Sequence, residues 1–91
     1  MNELSERFEI VNQLGLHARA ATRLVHLASR FVSTVTIEKD GQSADAKSVM
    51  GVLLLCGQKG AMLTVTARGP DAREAVAALG QLIRSRFGED R

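Results

Sequence analysis

Apolar residues recur at helical spacing in two stretches of the chain. In the first, they stand at i, i+3, i+4 and i+7 from Ala21 to Ala28, which predicts an amphipathic helix from about Ala18 to Arg30. The second follows Asp71-x-x-Glu74, a sequence typical of a capping box at a helix start. Its apolar stripe predicts a closing helix and consists of Ala72, Ala75, Val76, Leu79 and Ile83. Gly80 interrupts this helix, and we expect close packing to require it.

Four other segments have the pattern of strands. Phe8–Val11 is a short apolar segment, and Ser33–Glu38 alternates apolar with polar residues. Asp40-Gly41 is a hairpin signal that leads into a weaker strand over Gln42–Ala46. Met62–Ala67 alternates again. These segments predict four strands with one covered face and one wetter face.

Residues from Ser48 to Leu55 are too apolar for an element with one buried face. In a short helix begun by Ser48, a favoured N-cap, Val52 and Leu55 would point inward together. The other three apolar side chains would form an exposed patch, which usually marks a binding surface; they are Val49, Met50 and Leu53. In the alternative interpretation, all of these residues belong to the core.

The order of elements is strand, helix, strand, strand, short helix, strand, helix. It predicts an α+β fold, an open-faced β-sandwich (βαββαβα), in which a four-stranded antiparallel sheet carries three helices on one face. With 91 residues, 45% of them hydrophobic, we expect one domain spanning residues 1–91.

Composition narrows the possible classes of protein. No apolar run is long enough to span a membrane, and the first six residues lack the order of a signal peptide, so we expect a cytoplasmic protein without membrane insertion. The single cysteine, Cys56, follows three leucines and is expected to be a small core residue. Two histidines and one cysteine match no zinc pattern, so we expect no metal.

The net charge is +2, and several of the basic residues share one side of the first predicted helix. A basic stripe runs at i, i+4, i+7 and i+11 and consists of Arg19, Arg23, His26 and Arg30. Such a stripe is either an ordinary solvated helix face or, beside a reactive group, a landing surface for an acidic partner.

His17 stands where a strand-like segment ends and the first helix begins. Backbone N–H groups in the first turn have no partner within a helix, and the helix dipole favours an anion there. A neutral imidazole is a nucleophile near pH 7, and these N–H groups could hold an anionic product such as a phosphohistidine. In the alternative interpretation, His17 caps the helix without chemistry.

Two motifs identify a family. Gly15-Leu16-His17-x-Arg19 resembles the active-site segment of HPr, the histidine-containing phosphocarrier of the bacterial phosphotransferase system. Lys47–Leu53 resembles the regulatory-serine segment of that family, and the resemblance extends from about Arg7 to Arg86. One residue departs from the pattern: Ala20 stands where the family usually has proline, which restores a backbone N–H and relaxes the backbone of the site.

The resemblance implies specific roles. His17 would accept a phosphoryl group on Nδ1 and would pass it to enzyme IIA domains. The donor would be Enzyme I, which is itself phosphorylated by phosphoenolpyruvate. Arg19 would position or neutralise the phosphoryl group, with no metal or cofactor on the carrier. Ser48 would be a regulatory phosphorylation site for an HPr kinase/phosphorylase. We expect a monomer that docks its partners through Ala18, Thr22, Arg23, His26, Val49, Met50 and Leu53.

Two other functions fit parts of the chain. A regulatory family member in a nitrogen-type branch of the system would share the same fold and the same histidine. A small nucleic-acid-binding domain is suggested by Gly57-Gln58-Lys59-Gly60, the G-x-x-G pattern with which KH domains clamp nucleic acid. KH domains place helices on both sides of this sequence, whereas here it runs into a predicted strand. A turn is the simpler interpretation, and we expect no nucleic-acid partner.

Overall fold

The computed structural model describes residues 2–91 and contains four strands, three helices and a terminal turn. In chain order they are β1 (Glu3–Glu9), α1 (Ala18–Ala28), β2 (Thr34–Lys39), β3 (Gln42–Asp45), α2 (Val49–Leu54), β4 (Met62–Arg68), α3 (Ala72–Arg84) and a 3₁₀ turn (Arg86–Gly88).

The strands form one antiparallel sheet in the order β1-β4-β2-β3. β4 lies inside the sheet, with Phe8 of β1 opposite Leu63 and Ile37 of β2 opposite Val65. These four side chains are buried on the face of the sheet against which the helices pack. The predicted α+β open-faced sandwich is therefore confirmed.

The β2–β3 hairpin turns at the predicted position. Asp40 and Gly41 both have positive φ angles, 50° and 82°, as the two central residues of a tight hairpin of this type require. Gly57–Gly60 precedes β4 as a turn, with a positive φ of 92° at Gly60.

The first strand lies earlier in the chain than the pattern predicts. It spans Glu3–Glu9 instead of Phe8–Val11, and Phe8 is its only buried residue. The other residues of this strand are exposed, so the sequence shows no alternation of buried and exposed positions there. The strand forms because it pairs with β4. Ile10 is buried beyond the end of the strand and is held by backbone hydrogen bonds to Ala61 and Gly60.

α3 packs closely against β1, as expected from Gly80. A Cβ atom at this position would lie 2.4 Å from Cε1 and Cζ of Phe8. The ring of Phe8 therefore fills the space that a side chain would need. The predicted stripe is buried in full and consists of Ala72, Ala75, Val76, Leu79 and Ile83.

The capping box predicted at the start of α3 is wrong. Asp71 forms no side-chain cap and instead accepts hydrogen bonds from the backbone N–H groups of Val32 and Ser33, both at 2.9 Å, and from the hydroxyl of Ser33. Its own N–H donates to the same hydroxyl oxygen at 3.2 Å. Asp71 thus joins the start of α3 to the loop before β2.

Two smaller expectations also differ from the structure. α1 ends at Ala28, so Arg30 lies beyond the helix and the basic stripe contains only its first three members. Cys56 is exposed, because α2 ends before it and its positive φ of 53° turns the chain outward. Within residues 2–91, no helix has the length and apolar character that a membrane crossing requires.

Candidate functional site

The loop before α1 reaches His17 by a path that only glycine permits. Gly15 has a φ of 67°, and a Cβ there would lie 2.4 Å from the carbonyl oxygen of Gly57. The N–H of Leu16 donates to that same oxygen at 2.7 Å, and the Leu16 side chain is buried. The residue before His17 is thereby fixed to the turn between α2 and β4.

His17 is the N-cap of α1, where the sequence places it. Its backbone is extended (φ −77°, ψ 179°), and Nδ1 accepts the backbone N–H of Arg19 at 3.3 Å. The carbonyl of His17 accepts the N–H of Ala21 at 2.9 Å, the first bond of the helix. Nδ1 therefore lies against the positive end of the helix dipole.

The other ring nitrogen faces an acidic side chain from the far end of the chain. Nε2 of His17 forms a hydrogen bond with Oε2 of Glu89. Asn12, which is fully buried, donates from Nδ2 to Oε1 of Glu89 and to the carbonyl of Gly15, both at 2.9 Å. The carboxylate is thus held between Asn12 and His17.

An unusual backbone brings Glu89 to this position. Arg86 and Phe87 both have positive φ angles, 61° and 54°, which cost about 1–2 kcal/mol each for residues with a side chain. Burial of the Phe87 ring, which is 0% exposed, offsets this cost by about 2 kcal/mol. The guanidinium of Arg23 also donates to the carbonyl of Phe87. The C-terminal segment is therefore anchored on both sides of Gly88.

These contacts determine the charge state of Glu89. Burial opposes ionisation of its carboxyl group, but hydrogen bonds from Asn12 and His17, together with the positive charge of Arg23, outweigh burial and lower its pKa below 4.5. Glu89 is therefore an anion at neutral pH.

His17 opens onto a depression of about 740 Å³ that carries both basic and acidic side chains, Glu89 and Asp90 being the acidic ones. The loop before α1, the first turns of α1 and residues 88–91 line it, including Arg19, Arg23 and Arg91. The His17 side chain is 28% exposed, whereas that of Glu89 is 11% exposed. A ligand can thus reach the imidazole, while the carboxylate behind it stays covered.

The predicted residues of α1 lie partly together. Ala18, Arg19 and Arg23 line the depression with His17. Thr22 is half-buried, and its hydroxyl donates to the carbonyl of Ala18 at 2.8 Å. His26 is exposed further along the helix. Among residues 2–91, no three His, Cys, Asp or Glu side chains cluster as a metal site would require.

The predicted short helix exists, but it exposes a different set of apolar residues. Ser48 caps it, with its hydroxyl oxygen accepting the N–H of Gly51 at 3.1 Å. Met50 is 69% exposed, but Val49 and Leu53 are half-buried against the core. The second exposed residue is Leu54, at 70%. A six-residue helix packed on the sheet and on α1 turns Val49 and Leu53 inward, so the patch is narrower than predicted.

Sequence reasoning missed Asn12 and Glu89. They are separated by 77 residues, and no local pattern links them. Phe87-Gly88 was the available signal, because a large apolar residue followed by glycine after a helix end indicates that the chain returns to the core.

The fold and the site define an open-faced sandwich with an accessible histidine at the start of its first helix. A family model described as "PTS HPr component phosphorylation site" matches residues 4–85. The chain is 50% identical over 80 residues to the phosphocarrier protein HPr of Cupriavidus necator, covering 88% of this chain and 90% of that protein. This chain belongs to the HPr family, the phosphocarrier proteins of the phosphotransferase system.

Two further comparisons agree with this family assignment. The phosphocarrier protein NPr of Shewanella violacea is 42% identical over 89 residues, covering 98% of each chain. The crystal structure of HPr-C-His from Thermoanaerobacter tengcongensis superposes with a TM-score of 0.89 at 43% identity and covers 100% of both chains.

Proposed function

We propose that this chain carries a phosphoryl group on Nδ1 of His17, accepts it from Enzyme I charged by phosphoenolpyruvate, and passes it to enzyme IIA domains. The observation that supports this most directly is the state of Nδ1. It accepts an N–H in the resting protein, so it holds the lone pair that a nucleophile needs, and its ring is open to the depression that Arg19 and Arg23 line.

In the transfer step, the lone pair of Nδ1 attacks phosphorus, and the bond between phosphorus and the donor's leaving atom breaks. The incoming phosphoryl oxygens meet the free N–H groups of the first turn of α1, where the helix dipole stabilises negative charge. Arg19, exposed in that turn, supplies a guanidinium for the same oxygens. Once Nδ1 is bonded to phosphorus, it can no longer accept the N–H of Arg19, and the phosphoryl oxygens accept N–H groups of the helix start instead.

Partner docking would use the basic face of α1 together with α2. Arg19, Arg23 and His26 attract an acidic surface, and Met50 and Leu54 offer exposed apolar area to it. Ser48 lies at the start of α2, so a phosphoryl group there would add about −1.5 to −2 charge beside this area. We propose that this modification weakens docking of Enzyme I.

The direct test is incubation with Enzyme I and phosphoenolpyruvate followed by mass spectrometry. We expect one acid-labile phosphoryl group, no label on His17→Ala, and full labelling of His26→Ala at completion. Both substitutions are at positions that are not fully buried, so the fold should persist and circular dichroism should be unchanged. Labelling of His17→Ala at the parent level would contradict the proposal.

The similarity to NPr keeps a nitrogen-type regulatory branch as a second candidate. Both functions use His17, so they differ only in the acceptor. Supplying the phosphorylated protein with purified enzyme IIA domains of the sugar type and of the nitrogen type would separate them, and the higher identity to HPr favours sugar-type acceptors.

The expectation that the protein works as a monomer is tested by light scattering.

A further inference from the structure

Two hydrogen bonds approach the His17 ring from opposite sides, and both require the same tautomer. Nδ1 accepts the N–H of Arg19 at 3.3 Å, so it carries a lone pair. Nε2 faces the carboxylate of Glu89, which has no proton to donate when it is ionised and can only accept, so the ring proton is on Nε2. A neutral histidine held in this way presents Nδ1 as the nucleophile and keeps Nε2 occupied.

Glu89 is held in place by groups other than His17. The buried amide of Asn12 donates to its Oε1 at 2.9 Å. The buried ring of Phe87 anchors the segment two residues earlier, and the guanidinium of Arg23 binds the Phe87 carbonyl. The backbone adopts positive φ angles at three successive residues, 86–88, to make this approach. A chain end that merely followed α3 would need none of these contacts.

We infer that Glu89 is a positioning residue for phosphoryl transfer: held by Asn12, it keeps the ring proton of His17 on Nε2, directs reaction to Nδ1 and balances the charge that forms on the ring. The inference rests on the proposed function only in taking His17 as the phosphoryl acceptor.

The charge balance of the step explains the second role. When the lone pair of Nδ1 forms a bond to phosphorus, the ring retains the proton on Nε2 and becomes cationic. Glu89 faces that proton and places a negative charge beside Nε2, as the aspartate does for the histidine of a Ser-His-Asp triad. Without Glu89, solvent would share Nε2, both nitrogens would compete as nucleophiles, and the cationic ring would lose its counter-ion.

A small phosphoryl donor tests this inference without any partner protein. Phosphoramidate transfers its phosphoryl group to an imidazole nitrogen. A nitrogen–phosphorus bond forms on the ring, the nitrogen–phosphorus bond of phosphoramidate breaks, and ammonia leaves. The protein is labelled with ¹⁵N at histidine, treated with phosphoramidate, and followed by ³¹P and ¹⁵N NMR, which distinguish Nδ1 from Nε2 phosphohistidine and His17 from His26. His26 is exposed and serves as the internal reference for an unguided imidazole.

In the parent protein we expect His17 to be phosphorylated on Nδ1. In Glu89→Ala we expect roughly tenfold slower reaction at His17 and a substantial share of product on Nε2, as at His26. Glu38→Gln, which removes an exposed carboxylate on β2 outside the depression, should keep the selectivity for Nδ1. Equal rate and equal selectivity in the parent and Glu89→Ala would overturn the inference.

Glu89→Gln separates positioning from a simple contribution to stability. The glutamine amide has one accepting oxygen, whereas both Asn12 and His17 donate to Glu89, so one donor is left without a partner. We expect the selectivity of Glu89→Gln for Nδ1 over Nε2 to lie between that of the parent and that of Glu89→Ala. We also expect a changed tautomer signature in the ¹⁵N spectrum of unmodified His17. A purely structural role for Glu89 would lower the unfolding midpoint and leave the tautomer signature unchanged, and that result would also overturn the inference.

The two proposals fail separately. If Enzyme I does not label His17 but phosphoramidate selectivity depends on Glu89, the positioning role stands and the carrier function is wrong. If Enzyme I labels His17 and selectivity does not depend on Glu89, the carrier function stands and the positioning role is wrong.

Discussion

At the scale of single residues, the site depends on how each nitrogen of one imidazole is used. Nδ1 of His17 points to the helix start and Nε2 to Glu89, so the two nitrogens meet opposite electrostatic environments about 2 Å apart. Arg19 and Ser48 are the two other residues whose roles can be tested one at a time.

Arg19→Ala should slow phosphoryl transfer from Enzyme I by roughly ten- to hundredfold, because its guanidinium can contact the phosphoryl oxygens during the step. Arg30→Ala, which also removes one positive charge, should change the rate less than about twofold, because physiological salt screens exposed charges that are more than about 8 Å apart. Arg30 lies beyond the end of α1, about 16 Å further along at 1.5 Å per residue. Stopped-flow rates for the two variants provide the comparison. Equal losses would assign Arg19 to long-range attraction alone.

At Ser48, capping and charge can be separated. Asp and Asn are both good N-caps, so Ser48→Asp and Ser48→Asn should preserve α2, whereas Ser48→Ala should lose about 1 kcal/mol of stability. If negative charge at this position weakens docking, Enzyme I-dependent phosphorylation is slower for Ser48→Asp than for Ser48→Asn. Rates measured at limiting Enzyme I decide the matter. Equal rates would leave Ser48 with only a capping role.

At the scale of elements, α3 packs on β1 so closely at Gly80 that a side chain there has no room. Gly80 is in the middle of a helix, where helical propensity alone favours alanine by about 1 kcal/mol. The ring of Phe8 occupies the position that a Cβ would take. Tertiary packing therefore opposes local preference at this residue.

Gly80→Ala should destabilise the protein by about 1–3 kcal/mol, since the buried Phe8 ring has little room to move. Ala77→Gly, at an exposed position of the same helix, should cost about 1 kcal/mol through propensity alone. Urea unfolding of the two variants measures both effects. Stabilisation by Gly80→Ala would show that β1 adjusts more readily than its packing indicates.

At the scale of the whole molecule, Asp71 joins two segments that are 38 residues apart. Hydrogen bonds hold the pKa of the Asp71 carboxyl below its usual 3.8 and outweigh the opposing effect of burial. The largest contributions come from the hydroxyl of Ser33 and the backbone N–H of Val32, followed by the N–H groups of Ser33 and of Asp71 itself. A carboxyl whose pKa is lower in the folded protein contributes stability above its unfolded pKa, and loses it as the pH falls through the folded value.

Asp71→Asn should therefore lower the free energy of unfolding at pH 7, and the difference from the parent should shrink as the pH falls below about 3.8. Glu89 has a lowered pKa as well, so some acid dependence should remain in the variant. Urea unfolding from pH 7 to pH 2 measures the difference. A constant difference across this range would show that the hydrogen bonds of Asp71 do not depend on its charge.

Local patterns were sufficient for most of the architecture. Apolar spacing placed α1 and α3, and alternation placed β2 and β4, because in each case one face is buried and the other is wet. Turn chemistry placed the hairpin at Asp40-Gly41, where both residues need positive φ angles. The predicted start of α1 at Ala18 placed His17, the candidate acceptor, at the helix terminus, where the structure has it.

Contacts between distant residues decided the rest. β1 exists because β4 pairs with it, Asp71 binds the loop before β2 instead of its own helix, and Val49 and Leu53 pack inward against the core. Asn12, Phe87 and Glu89 are distant along the chain and meet only after the core closes over the Phe87 ring. The sequence alone therefore determined the position of His17, the proposed nucleophile. Only tertiary structure could select the carboxylate behind it, because hydrogen bonds between residues 72 and 77 positions apart leave no periodic trace in the sequence.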